Sequence, residues 1–150
     1  LTLIELIIAM SILAVLASAV IPLATTTVRR TREIELRSSL REMRAAIDQY
    51  KMDYDRAVKD KKIIPTLADT GYPKELEDLV NGESWGDLYP FKRKYLRRIP
   101  RDPFDVNDEG WGLRSMADEP DSLSWGGEDV FDVYSQSTET GLDGTLYNTW

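Results

Sequence analysis

The stretch Leu1-Thr2-Leu3-Ile4-Glu5-Leu6-Ile7-Ile8-Ala9-Met10, running on to Ile21-Pro22, decides how this chain is read. Between Leu1 and Val28 the only charged residue is Glu5, and Leu6–Ala24 is apolar apart from Ser11, Ser18 and Pro22. That length is close to the ~20 residues that cross a bilayer core. Only Leu1–Glu5 precede the run, without the positive charge that opens a signal peptide, so the apolar segment is expected to be retained.

Glu5 has two readings. In a first helical turn, an acid complements the positive end of the helix dipole. In a dry environment the same carboxylate needs a counter-charge, and the α-amine of Leu1 supplies one. At ~4 Å two such charges attract strongly once water leaves. The pair closes within one chain or between neighbouring chains, and the second arrangement sets the axial register of a polymer. The residue alone leaves both open.

Further on, Leu36, Leu40, Met43, Ile47, Tyr50 and Tyr54 recur at steps of four and three, the signature of one buried helix face. No Gly or Pro interrupts Leu23–Ile64. One helix is predicted from about Thr2 to about Val58, roughly 85 Å long at 1.5 Å per residue. Residues 1–28 form its apolar half. Residues 29–150 form a globular domain that includes the amphipathic half, 29–58.

Lys59-Asp60-Lys61-Lys62 suits a helix C-terminus. Thr70–Val80 reads as a short helix entered through Pro73, turning Leu76, Leu79 and Val80 to the core. Tyr95–Phe104 reads as extended, pinned by Pro100 and Pro103. Trp111–Ser115 and Val130–Ser135 read as strands, with Thr145–Trp150 as a third. The predicted class is α+β: a long N-terminal helix whose C-terminal half packs on a small antiparallel sheet.

Composition narrows function. The chain carries 19 Lys and Arg against 26 Asp and Glu, a net charge of −7, and from Asp102 onward its only basic residue is Arg114. That balance argues against a nucleic-acid partner. Arg29–Lys62 holds an excess of Lys and Arg, read either as a solvated helix face or as attraction to anionic lipid head groups. There is no Cys and no His, so disulfides, the commonest general base and the commonest metal ligand are missing. The acids Asp118-Glu119…Asp121 and Glu128-Asp129…Asp132 read as solvated turns or as paired carboxylates. No phosphate loop, serine elbow or zinc spacing is present, and no enzymatic role is predicted. Trp85, Trp111, Trp125 and Trp150 read as core packing or as a surface for another protein.

The N-terminal stretch resembles the mature N-terminus of type IV pilins and type II secretion pseudopilins: a hydrophobic first residue, Thr2, Glu5, an apolar helix and Pro22. The similarity continues through Tyr72-Pro73, Leu76-x-x-Leu79, Leu96-x-x-Ile99-Pro100-x-Asp102-Pro103-Phe104, Trp111-Gly112, Asp132-Val133-Tyr134-Ser135 and a terminal Trp150, most like the major pseudopilin class. The usual first residue of the family is Phe, and many members carry Gly where Ala14 stands. The missing cysteine pair favours the pseudopilin branch over surface pilins.

The resemblance implies cleavage by a prepilin peptidase before Leu1, N-methylation there, single-pass residence in the inner membrane, and assembly into a helical periplasmic or cell-surface filament. Leu1, Glu5 and Pro22 would serve assembly. Leu3, Leu6, Ile7, Met10, Leu13, Leu16 and Val20 would pack the filament core. Implied partners are further copies of the chain, minor pseudopilins, an inner-membrane assembly platform and membrane lipid, with no nucleic acid. The implied function is a structural subunit of a pseudopilus that drives protein export. The alternatives are a surface pilin for adhesion, motility or DNA uptake, and an enzyme or binding module tethered to the membrane by its helix. Members of this branch hold calcium in the C-terminal loop, where this chain offers Asp143, Glu139, Thr138 and Asn148.

Overall fold

The computed structural model describes residues 2–150, the side chains of residues 19–23 excepted. Helix α1 spans Leu3–Lys59. Thr2 caps it, and Glu5 answers from the third helical position, a reciprocal box that satisfies two end amides. Arg56 and Lys59 stand in the last turn, where positive charge suits the dipole.

Inside the domain, Leu36, Leu40, Met43 and Ile47 are fully buried. They meet Leu79 from the short helix α2 (Glu77–Asn81), Trp111 from β1 (Trp111–Arg114), Val133 from β2 (Asp132–Ser135), and Leu96, Phe104, Val130 and Tyr147 from connecting segments. The amphipathic stripe thus becomes the floor of a single core. Strands β1 and β2 pair antiparallel, with Trp111 opposite Ser135 and Arg114 opposite Asp132.

The predicted α+β class stands: a long N-terminal helix with a small two-stranded antiparallel sheet. Two local expectations change. The segment 145–150 is not a third strand: Tyr147–Thr149 forms a 3-10 turn, α3, preceded by one bridge between Thr140 and Leu146. Burial of Tyr147, stacked on Phe104 at 4.0 Å between centroids, outweighs extension there. The short helix begins at Glu77 rather than near Thr70, because the Asp78 carboxylate takes the amides of Lys74 and Glu75 and fixes a non-helical approach.

The placement in a membrane is corrected as well. Among the described residues no helix is long and apolar enough to cross one. Beyond Ala24 the helix turns polar through Thr25, Thr26, Thr27 and Arg29. The single-pass inner-membrane assignment therefore falls.

Residues between α1 and β1 have little regular structure and are tied down by side chains. Asp53, 3% exposed on α1, accepts from Tyr89 Oη at 3.0 Å, Arg93 at 3.2 Å and Tyr95 Oη at 2.7 Å. Tyr95 Oη in turn accepts the Trp85 indole N–H at 2.6 Å.

Candidate assembly surface

The N-terminal half of α1 presents large apolar side chains on every side. Leu3 is 78% exposed and Ile4 68%, and Leu6, Ile7, Ile8, Met10, Ile12, Leu13, Val15 and Leu16 are all exposed. The expected packing set 3, 6, 7, 10, 13 and 16 is therefore one part of a wholly apolar circumference, not a stripe. A helix apolar all round needs burial against something. Ser11 and Ser18 do not break this character, because each hydroxyl donates back to a carbonyl of its own helix, Ile7 and Val15. Val20 and Pro22 belong to the side chains outside the described residues, and Leu1 lies outside them altogether.

Glu5 is placed at the exposed start of this surface. Its carboxylate accepts from the Thr2 N–H at 3.4 Å, while Thr2 Oγ1 accepts from the Glu5 N–H at 3.3 Å. Within one chain it thus does the work of a cap.

Where α1 enters the domain, its polar face grips the C-terminal segment. Arg29 Nε donates to Tyr147 Oη at 3.2 Å, Tyr147 Oη donates to Glu33 Oε1 at 2.8 Å, and the same Glu33 oxygen accepts the Leu142 N–H at 2.7 Å. Arg29 also donates to the Thr140 carbonyl. Burial pushes the Tyr147 phenol up, and the hydrogen bond to that phenol raises the Arg29 guanidinium. Arg37 bonds Asp143 at 2.8 Å and lies over the Trp150 ring at 3.9 Å. Three arginines of the basic stretch Arg29–Arg44, namely Arg29, Arg37 and Arg44, are thus engaged with their own chain. The sequence carried a signal for this: Arg29, Glu33 and Arg37 stand four apart, flanking the stripe that starts at Leu36.

The four oxygen donors considered for calcium do not form one cage. Asp143 Oδ1 takes the N–H and hydroxyl of Thr145 at 2.9 and 2.6 Å, and Oδ2 faces Arg37. The Thr145 hydroxyl, more than Arg37, holds the Asp143 carboxyl below the usual carboxylate range. Glu139 faces Arg29 at 3.8 Å, and Thr138 is exposed. Asn148 Oδ1 is buried without a partner. Two of the donors are spent on guanidinium groups, so the loop is closed by arginines and Tyr147, and the set does not fit the ion.

Beside the junction runs a groove of about 450 Å³ lined by Ala24, Val28, Arg29, Phe104, Val106 and Glu139. Val28 and Val106 are exposed on its rim. Of the four tryptophans, Trp85 and Trp111 are core residues, while Trp125 remains exposed.

Comparison with family models, with curated proteins and with solved structures returns no match.

Proposed function

We propose that this chain is a filament subunit of the type IV pilin class, of the pseudopilin branch, and that it acts by polymerising and not by catalysis. The observation that carries this reading is the apolar circumference of 3–18, exposed on a chain that closes a separate core around Leu36–Ile47 without it. Burying one such side chain is worth about 1.5–3 kcal/mol. Equivalent helices from further copies offer matching surface on all sides at once, and the groove at Val28 and Val106 extends it to a neighbour's helix.

In this reading Glu5 exchanges its cap on Thr2 for the α-amine of Leu1 on an adjacent copy. The pair gains strength as neighbouring helices exclude water. Growth of the filament then displaces proteins bound for export. The absence of cysteine and the chain-wide resemblance support the pseudopilin branch over a surface pilin.

The test is electron microscopy of filaments made by the full chain and by Glu5→Ala in cells carrying the assembly machinery. Filaments are expected from the first and not from the second, with the domain's melting temperature unchanged. Normal filaments from Glu5→Ala would remove the role assigned to Glu5. No filaments from either chain would remove the polymer reading itself.

A further inference from the structure

Near the C-terminal end of α1 the chain builds an aromatic cavity apart from the assembly surface. Tyr50 and Tyr54 stand one turn apart on α1, so both rings project to the same side. Trp85 meets Tyr50 edge-on at 4.7 Å between centroids and Tyr54 at 5.8 Å. The segment that follows α1 folds back across them. It passes closest to Tyr54 at Gly71, where a Cβ would lie 2.5 Å from the ring. With Tyr72, these rings line a cavity of about 390 Å³.

Its charge is one-sided. Among the described residues, Asp69, Asp78, Glu83 and Glu128 line it against a single cation, Lys74. None of these four carboxylates forms a salt bridge among the described residues. Asp78 and Glu83 stand close enough to Tyr50 to add to burial in pushing its phenol up. The Tyr54 hydroxyl, on the cavity wall, is buried without a hydrogen-bond partner. The chain itself shows what such rings attract. The Lys51 ammonium lies 5.4 Å from the Tyr54 centroid and 5.7 Å from that of Tyr72, tethered by Asp55 at 2.5 Å. Among the described residues no cation lies over Tyr50 or Trp85.

We propose that this cavity receives a basic side chain, arginine above lysine, presented by a partner polypeptide. A ring face attracts a cation, Arg more often than Lys, and the attraction grows as water leaves. A guanidinium also stacks on a ring while its N–H groups reach carboxylates at the edge. Tyr54 Oη offers one more acceptor. The rim favours a polypeptide over a free cation: Ile64 lines the cavity and is exposed, and Leu67 is exposed beside it in the chain. Residues flanking the basic one would cover that rim. A lipid head group fits less well. Tyr54 stands roughly 50 Å beyond residue 18 along α1, out of reach of a surface that held the apolar half. The site requires neither Glu5 nor polymerisation.

The probes are N-acetyl-arginine amide, its neutral isostere N-acetyl-citrulline amide, choline, and acetyl-Leu-Arg-Leu amide. Each is titrated into the full chain and followed by NMR at the Trp85 indole N–H. The arginine amide is expected to bind and the citrulline amide is not. Choline should bind about fivefold more weakly than the arginine amide, and the flanked peptide about tenfold more tightly through the rim. Glu83→Gln and Glu128→Gln should each weaken binding by about threefold. Lys51→Met should strengthen it by about threefold, because a competing cation leaves the rings; a merely structural cluster would gain nothing there. Glu119→Gln, outside the cavity, should leave binding unchanged. Should Glu83→Gln lack a cooperative melting transition, Glu128→Gln and Lys51→Met decide. The proposal is overturned by absent binding, by citrulline or choline binding as well as arginine, by no gain from the flanking leucines, by unchanged affinity in Glu128→Gln or Lys51→Met, or by loss of binding in Glu119→Gln.

Discussion

Arg44 and Asp132 face each other with Nε 2.7 Å from Oδ1, joining α1 to β2. The same guanidinium donates to the carbonyls of Val133 and Trp150 at 3.0 and 2.8 Å, and Asp132 also accepts from Arg114 at 3.2 Å. Helix, both strands and the C-terminal segment thus share one polar junction. Arg44→Leu is expected to cost about 1–3 kcal/mol. Asp132→Asn should cost more, since two arginines lose their common carboxylate. Urea unfolding measures both, and unchanged stability in each would mean that packing of Tyr147 alone holds the segment.

Gly112 lies under the ring of its strand partner Tyr134. An added Cβ would come within 2.3 Å of that ring, over which the Arg114 guanidinium already lies at 4.1 Å from the centroid. The ring has nowhere easy to go. Gly112→Ala should destabilise by about 1–3 kcal/mol through overpacking, read as a lower thermal midpoint. A midpoint equal to the parent chain's would show that Tyr134 swings free.

Leu13 is 65% exposed and outside the buried core. Leu13→Glu should leave the thermal midpoint of the domain within about 0.5 kcal/mol of the parent in stability, while suppressing self-association of the full chain. Sedimentation measures the second effect. Association undiminished by this charge would place the contact elsewhere.

Acid and alkali should act through different groups. Donors hold four carboxyls below the usual range: the Thr66 N–H for Asp69, the Gly110 N–H for Asp105, the Ser115 N–H for Asp118 and the Thr145 hydroxyl for Asp143. Their stabilising contributions are present above the unfolded value of ~3.9 and are lost as pH falls through the lower folded values. Burial pushes the phenols of Tyr50 and Tyr95 up. Their contributions are present below ~10 and are lost as pH rises through the higher folded values. Stability should therefore be level near neutrality and fall on both sides, with tyrosinate absorbance appearing together with alkaline unfolding. Tyrosinate formed well before unfolding would contradict the burial of these two rings.

The helix and its core face were legible because Leu36, Leu40, Met43 and Ile47 obey one period over several turns. The two strands were legible because short apolar runs lay between turn residues. What lay beyond reach was non-local. Nothing near Asp53 in the chain names Tyr89, Arg93 or Tyr95 as its partners. Tyr147 was read as extended because Leu146, Tyr147 and Trp150 make a short apolar run after a turn cluster, whereas stacking on Phe104 decides its conformation. The four oxygens weighed for calcium looked available because arginines a hundred residues earlier are invisible to a local reading.

Asp53 gives the irregular stretch before β1 a single mooring on a buried helix position. Amide exchange across 85–95 should accordingly be all-or-none, in step with departure of that carboxylate, instead of fading gradually toward the loop tips. A segment with scarcely any ladder hydrogen bonds would then show one shared opening rate, set from below by an aspartate it does not contain.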